Sequence, residues 1–293
     1  MTNIHFIVNP IAGKGKTVIT HSFLNKYFED AYYLICVKET THKAHAIQLT
    51  KESITEGADV IVACGGDGTI NEVASELVNS SIVLGIIPIG SGNGLASNLK
   101  ISKNIIKALI TIRTQNSIKI DVGKVNDTYF FSNTGFGFDA TVIKNYEASE
   151  RRTLSCYINA SLKSFREIHK QINIEITIND IIIVANPFLI FISNSNVMGY
   201  NTSLTPKASL QDGLLDVVIV PHLPKWKMLI FGLLMLLKKP ELLKEVHSFQ
   251  TKKIKLSRKG GDHFQSQLDG ELLKIKDISV SIKVEEASLL VVV

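Results

Sequence analysis

Cysteine, long apolar runs and charge of one sign are all scarce in this chain. Its three cysteines in 293 residues, Cys36, Cys64 and Cys156, are odd in number and far apart, with no Cys-x-x-Cys among them. That excludes a disulfide framework and argues against metal roles, leaving structural burial in a reducing compartment as the expectation. A spanning helix needs about 20 apolar residues. The best candidate, Met228 to Leu237, is half as long and is flanked by Lys225, Lys227, Lys238 and Lys239. Net charge is only +5, from 32 basic and 27 acidic residues. So slight an excess suits ATP or an anionic membrane surface and is too weak for nucleic acid, and no helix-turn-helix or aromatic-interleaved basic stretch speaks for nucleic acid either. Met1 leads directly into an apolar strand without a charged leader or long apolar core, so a cytoplasmic protein is expected. With 45% hydrophobic and 20% charged residues, the chain is a folded one, long enough for two domains.

What the chain does have is glycine at the ends of apolar strands. Val60 to Ala63 reads as a buried parallel strand that stops at Gly65-Gly66, followed by Asp67, Gly68, Thr69 and a helical pattern from Ile70 to Val78. A strand, a glycine-rich turn and a helix start point several N–H groups at one spot, which makes an anion site. Gly-Gly-Asp-Gly alone is also an ordinary turn. Two further loops strengthen the phosphate reading: Asn9 to Lys16 after Ile4 to Val8, and Gly90-Ser91-Gly92-Asn93-Gly94 after Leu84 to Ile89. In an open parallel sheet such loops converge at the carboxyl ends of neighbouring strands. A Walker A loop is excluded, because Gly15-Lys16-Thr17 has Pro10 where the first glycine belongs, and the dinucleotide Gly-x-Gly-x-x-Gly is missing. In these loops Gly13, Gly15, Gly65, Gly66 and Gly68 let backbone amides approach phosphates, Thr69 and Ser91 can bond phosphate oxygens, and Asn9 can orient the loop or ligand.

Val8-Asn9-Pro10 with Gly13 and Gly15, Gly65-Gly66-Asp67-Gly68-Thr69, Pro88-Ile89-Gly90-Ser91-Gly92-Asn93, Asp121-Val122-Gly123, Asp212-Gly213 and Leu268-Asp269-Gly270-Glu271 run in order along nearly the whole chain. In this set the chain resembles the diacylglycerol kinase catalytic family, which includes bacterial lipid kinases and the sphingosine and ceramide kinases. The resemblance implies an ATP-dependent kinase phosphorylating the free hydroxyl of a lipid such as diacylglycerol. It implies nucleotide contacts at Thr40, Cys64 to Ile70 and Ser91, joined here by Asn9, Gly13, Gly15 and Asn93. Asp67 and Asp121 would hold or approach the Mg2+ carried by ATP, and Glu271 matches the general base. Asp212, with the carbonyls of Ser209 and Leu214, resembles a second, structural metal site, although a plain turn fits the same spacing. Asp269-Gly270 also marks a two-residue hairpin turn, in which Glu271 would be an exposed strand residue. One departure stands out: many bacterial diacylglycerol kinases have Asn-Asp-Phe where this chain has Asn93-Gly94-Leu95, closer to the sphingosine-kinase version. The alternatives are a sphingoid-base or ceramide kinase, a kinase of a soluble acceptor like the NAD kinases and phosphofructokinases that share a related Gly-Gly-Asp-Gly loop, and a non-catalytic nucleotide- or lipid-binding protein.

Alternating strands and helices up to Val125 predict an α/β fold, a doubly wound nucleotide-binding domain over residues 1–126. Helices are expected near Thr17 to Phe28, Ala44 to Glu56 and Asn104 to Arg113. Residues 127–293 read as a mostly antiparallel β-sandwich with strands at Tyr129 to Asn133, Ile172 to Ile178, Ile181 to Val184, Phe188 to Ser193, Leu215 to Val220, Ile254 to Ser257, Phe264 to Leu268, Ile278 to Val284 and Leu289 to Val293. Two helices interrupt them, Tyr157 to His169 and the 226–237 segment, and the resemblance implies that the last strand returns to the first domain. An apolar helix with Trp226 and lysines at both ends suits a core helix or one resting on a lipid interface. The expected partners are a lipid substrate and a membrane surface touched peripherally, with a homodimer compatible and nucleic acid not.

Overall fold

The structure is a computed structural model that describes residues 1–13, 18–29, 31–90, 92–149, 154–167, 174–179, 181–196, 203–258 and 264–293. Lys14, Gly15, Lys16, Thr17 and Ser91, named above for the phosphate loops and the first helix, lie outside the described residues, as do residues 168 and 169 at the end of the expected 157–169 helix. The chain divides into two compact units, Met1–Ile120 with Ala287–Val293, and Asp121–Glu286.

The first unit runs β1 (Thr2–Val8), α1 (His21–Leu24), β2 (Tyr33–Glu39), α2 (His45–Thr55), β3 (Val60–Gly65), α3 (Asp67–Leu77), β4 (Val83–Pro88), α4 (Gly94–Asn98), α5 (Ile105–Thr114) and the start of β5 (Ser117–Val125). Its strands pair in parallel in the order β2-β1-β3-β4. Ile4, Phe6, Val8, Val60, Val62 and Cys64 face one way, packing with Leu24, Phe28 and the inner side of α5. Alternate residues, among them Ile7, Ile61 and Ala63, are equally buried, which is why β3 reads as an unbroken apolar run rather than an alternating one. α1 is only four residues long; Thr20 caps it, its side chain accepting from the Phe23 N–H.

The second unit continues with β6 (Thr128–Phe130), β7 (Asn133–Gly137), α6 (Phe138–Glu147), α7 (Leu154–Glu167), β8 (Ile174–Ile178), β9 (Ile181–Ala185), β10 (Pro187–Ser193), β11 (Leu215–Pro221), α8 (Lys225–Leu236), β12 (His247–Thr251), β13 (Lys253–Arg258), β14 (Phe264–Leu268), β15 (Glu271–Ile275) and β16 (Ser279–Val292). An antiparallel sheet, β12-β11-β10-β7-β14-β15, lies across from β16-β13-β8-β9 and the β5–β6 hairpin. Phe136, Ile190, Ile192, Val217 and Phe264 from the first sheet meet Ile176, Ile254, Leu256, Val280 and Ile282 from the second in one sandwich core. α8 packs on the outer face of the six-stranded sheet through Phe231, with Phe188, Phe191, Val218 and Val220 beneath it.

Several elements depart from the sequence reading. The two strands expected at 278–284 and 289–293 are one strand, β16, with Ala287 in the left-handed region (φ 46°) at the polar interruption that separated the apolar patterns. Its first part pairs antiparallel with β13, while Val291 lies parallel to Leu84 of β4 in the first unit. The strand expected over Tyr129 to Asn133 is broken after Phe130, and β7 and α6 follow in a Gly-rich stretch that had no strand or helix pattern. β12 and β15 were likewise unmarked.

Candidate active site

Asn9, Thr40, Gly65 and Gly90 stand just beyond or at the carboxyl ends of β1, β2, β3 and β4. Backbone bonds lock these ends together: Asn9 N–H to Cys64 O (2.9 Å), Thr40 N–H to Val8 O (2.9 Å) and Ile89 N–H to Gly65 O (2.8 Å). Asn9 Nδ2 donates to Thr69 Oγ1 (3.2 Å), and its Oδ1 accepts from Ile11 N–H (3.1 Å). Glu72 on α3 accepts from the Ala44 and Ala46 N–H groups, capping α2 beside Thr40. Cys64 is fully buried and its thiol is pushed far up by that burial, so only its backbone is available for recognition.

Steric limits explain the glycines. A Cβ on Gly65 would fall 2.6 Å from Thr69 Cβ, and one on Gly90 would fall 2.6 Å from Gly66 Cα. The two glycine loops therefore touch backbone to backbone, which no other residue permits. Gly66 is the N-cap of α3, so the N–H groups of Asp67, Gly68 and Thr69 have no partner within the helix. The first intrahelical bond is Ile70 N–H to Gly66 O (3.0 Å). The Asp67 carboxylate clamps the second loop: Oδ2 accepts from Asn93 N–H (2.8 Å) and Oδ1 from Gly94 N–H (2.6 Å). Asn93 is wholly buried with φ 58° and donates its Nδ2 to Gly90 O. Among the described residues its Oδ1 has no hydrogen-bond partner. Gly13, at φ 68°, brings the first loop against Ile89.

Asp121 belongs to the second unit. It is 3% exposed, and its Oδ2 accepts from Gly213 N–H (2.7 Å) while its N–H donates to Leu210 O (2.7 Å). It thus holds the 209–214 turn. In that turn Asp212 Oδ1 accepts from Leu214 N–H (3.1 Å), and Ser209 Oγ accepts from Gln211 N–H (3.2 Å). Gln250 Nε2 lies 3.3 Å from both Asp212 Oδ2 and Asp216 Oδ2. Burial, and then the neighbouring Asp212 charge, raise the Asp216 pKa, opposed by the Gln250 bond.

Glu271 opens β15, partly buried, across a two-residue turn from Leu268. Asp269 (φ 48°) and Gly270 (φ 85°) both have positive φ, the type I′ hairpin that Asp-Gly signals. Sequence reasoning missed what fastens this hairpin. Asp269 accepts three backbone N–H groups, from Phe131 (2.8 Å), Ser132 (2.7 Å) and Asn133 (3.0 Å). Gln267 then joins Asn133 Oδ1, Asp139 Oδ2 and Gly270 N–H, at 2.7, 2.7 and 2.8 Å. Asp139 is buried, and burial pushes its pKa up to about 6 against the Gln267 bond. The one signal was Gly135, where a Cβ would lie 2.0 Å from Asp139 Oδ2.

Residues 3–125 match the family model of the diacylglycerol kinase catalytic domain, and residues 132–293 that of the YegS C-terminal NAD kinase beta sandwich-like domain. A curated diacylglycerol kinase of Bacillus subtilis is 28% identical over 276 residues, covering 92% of this chain and 90% of that protein. One of Staphylococcus aureus is 29% identical over 220 residues, 73% of this chain and 69% of that one. A crystal structure of a diacylglycerol kinase from Bacillus anthracis superposes with a TM-score of 0.77 at 21% identity, covering 99% of this chain and 96% of the other; at that identity the likeness concerns the fold.

Proposed function

Since the chain belongs to the diacylglycerol kinase family, we propose that it is an ATP-dependent lipid kinase that phosphorylates the free hydroxyl of a lipid, diacylglycerol first and a sphingoid base second. The observation that carries the nucleotide half of this reading is the Asp67 clamp, which fixes two glycine loops around the open N-terminus of α3. Phosphoryl transfer asks for positioning and charge neutralisation more than for covalent chemistry. Backbone N–H groups at the start of α3 suit phosphate oxygens, with Asn9 bonded to Thr69 beside them and Thr40 at the end of the neighbouring β2.

A carboxylate beside a phosphate site repels it unless a cation lies between them. Asp67 keeps lone pairs beyond the two N–H bonds it accepts, and the buried Asn93 Oδ1 is a further oxygen of the kind a hard cation takes. Those atoms fit Mg2+, which would neutralise phosphate charge when bound with ATP. Asp212, with Asp216 beside it, fits a second cation, since two neighbouring carboxylates share a single amide between them. In this reading Asp121 orders that second turn. Glu271 takes the proton from the acceptor hydroxyl, its carboxylate held on a hairpin that Asp269 and Gln267 fix in place.

The acceptor is read from α8. Trp226, Leu229, Ile230, Leu233 and Leu237 are exposed at helical spacing while Phe231 packs inward. An apolar stripe of this kind, with Lys225 and Lys239 at its ends, suits peripheral contact with an anionic bilayer from the cytoplasmic side. Lys227 is engaged by Glu245, so the basic contribution is smaller than the lysine count suggests, at about 1 kcal/mol per lysine near the surface. No helix among the described residues is long and apolar enough to cross a membrane.

Labelled ATP offered with diacylglycerol, monoacylglycerol, sphingosine, ceramide and NAD in mixed micelles should label a lipid. Glu271→Gln should lose turnover and keep its nucleotide affinity. Phosphate on NAD alone would overturn the acceptor class, and ATP affinity falling with the rate would move Glu271 to the nucleotide.

A further inference from the structure

The face of β1 and β2 beneath the C-terminal half of α2 is polar, which is unusual for the inside of a parallel sheet. Asn3 and His5 on β1, and Cys36 and Lys38 on β2, alternate with the core residues Ile4, Phe6 and Ile35. The parallel register sets His5 directly beside Cys36, so their side chains leave the sheet on the same side. Glu52 and Glu56, one helical turn apart on α2 and its C-cap, come down onto them. A nitrogen of His5, the Cys36 Sγ and a Glu56 oxygen all lie within 4.8 Å of one another.

The imidazole is prepared for a ligand role. His5 is 3% exposed, and its Nε2 is 3.1 Å from Asn3 Oδ1, an oxygen that can only accept. Nε2 must therefore carry the proton, leaving the lone pair on Nδ1 in the neutral ring. Among the described residues that Nδ1 has no hydrogen-bond partner, and it points toward Glu56 Oε2 at 3.6 Å. A histidine whose second nitrogen is fixed by an outer oxygen is the arrangement found at metal-binding imidazoles.

We propose that His5, Cys36 and Glu56 form a binding site for a zinc-class divalent ion in the first unit, separate from any Mg2+ that accompanies ATP. Imidazole, thiol and carboxylate from three elements match a three-ligand zinc site with an open fourth position, whereas Mg2+ takes oxygens. Binding forms the sulfur–zinc bond as the Cys36 thiol gives its proton to solvent. Lys38 Nζ, 2.8 Å from Glu56 Oε2 and 3.9 Å from Glu52 Oε2, is the cation now serving this pocket; the ion displaces it from Glu56 toward Glu52.

The test is titration of the reduced, chelator-stripped full chain with Co2+, read by the thiolate-to-cobalt charge-transfer absorption. A stoichiometric band is expected, bleached by Zn2+ and unaffected by excess Mg2+. Cys36→Ser should abolish it and Cys156→Ser should leave it intact. Asn3→Ala should weaken binding about tenfold, as loss of an outer-shell partner does, and Lys38→Met should tighten it. As a check that does not rely on the thiol, Zn2+ should raise the Tm of the unaltered protein and not that of Glu56→Gln. No band, a band that survives Cys36→Ser, or equal Zn2+ stabilisation of Glu56→Gln would overturn the site.

Discussion

Replacing Asp269 with Asn tests whether one side chain fastens the hairpin that bears Glu271. Asp269 Oδ1 accepts from Ser132 and Asn133 and Oδ2 from Phe131, and all three donor residues are buried, so their N–H groups cannot turn to water instead. Hydrogen bonds to a charged acceptor contribute about 1.5–3 kcal/mol each, roughly twice a neutral bond. Asn keeps the two Oδ1 bonds at neutral strength and sets its own N–H groups against that of Phe131. It also tolerates the φ of 48° at this position, so backbone strain does not enter. The expected loss is about 2–4 kcal/mol, or roughly 5–15 °C in the Tm of a unit of this size. Asp269→Ala should cost more, because the left-handed backbone then adds about 1–2 kcal/mol. Scanning calorimetry with the far-ultraviolet spectrum as a fold control reads both. An Asp269→Asn protein melting within about 2 °C of the unaltered one would refute the claim that this carboxylate carries the hairpin.

Asp139 makes the second unit pH-sensitive. Its pKa is raised from 3.8 to about 6, so the folded state keeps a proton that the unfolded chain releases. The stability this gives is complete below the ordinary value and is lost as pH rises through about 6. Asp139→Asn should therefore exceed the unaltered protein by up to about 3 kcal/mol at pH 8, with the gain shrinking toward pH 4; denaturant titrations across that range that show a pH-independent difference would contradict it. Gly90→Ala places a Cβ 2.6 Å from Gly66 Cα and must push the two glycine loops apart. ATP affinity should fall about tenfold or more, the equivalent of 1.4 kcal/mol, in a titration followed by calorimetry, and an unchanged affinity would mean that the contact does not shape the site.

Much of the first unit was legible because its signals are local. Apolar runs ending in glycine mark buried parallel strands and the tight loops after them, and the side chains that would obstruct those loops are only a few residues away, as with Gly65 and Thr69. The second unit hid more. β12 is a polar, largely exposed strand without alternation, and β7 carries Gly135 for the sake of the Asp139 carboxylate rather than for a turn, so its glycines read as loop. Asp269 was visible as a turn residue, and correctly so by its positive φ. Nothing local announces that its carboxylate reaches back to Phe131, Ser132 and Asn133. The polar pocket under α2 was illegible for the same reason: its members come from two strands and a helix, and only the register of β1 on β2 brings His5 to Cys36.

The passage of β16 back to β4 has a consequence for how the protein is made. The first unit consists of Met1–Ile120 together with Ala287–Val293, so a ribosome that has finished the glycine loops has still to translate the whole sandwich before the strand beside β4 exists. At 5–20 residues per second that wait is about 10–40 s. Through it the apolar β4 edge has no neighbour from its own chain on that side, which is the condition under which strand edges recruit other chains. The first unit is thus the first to be synthesised and among the last to be completed.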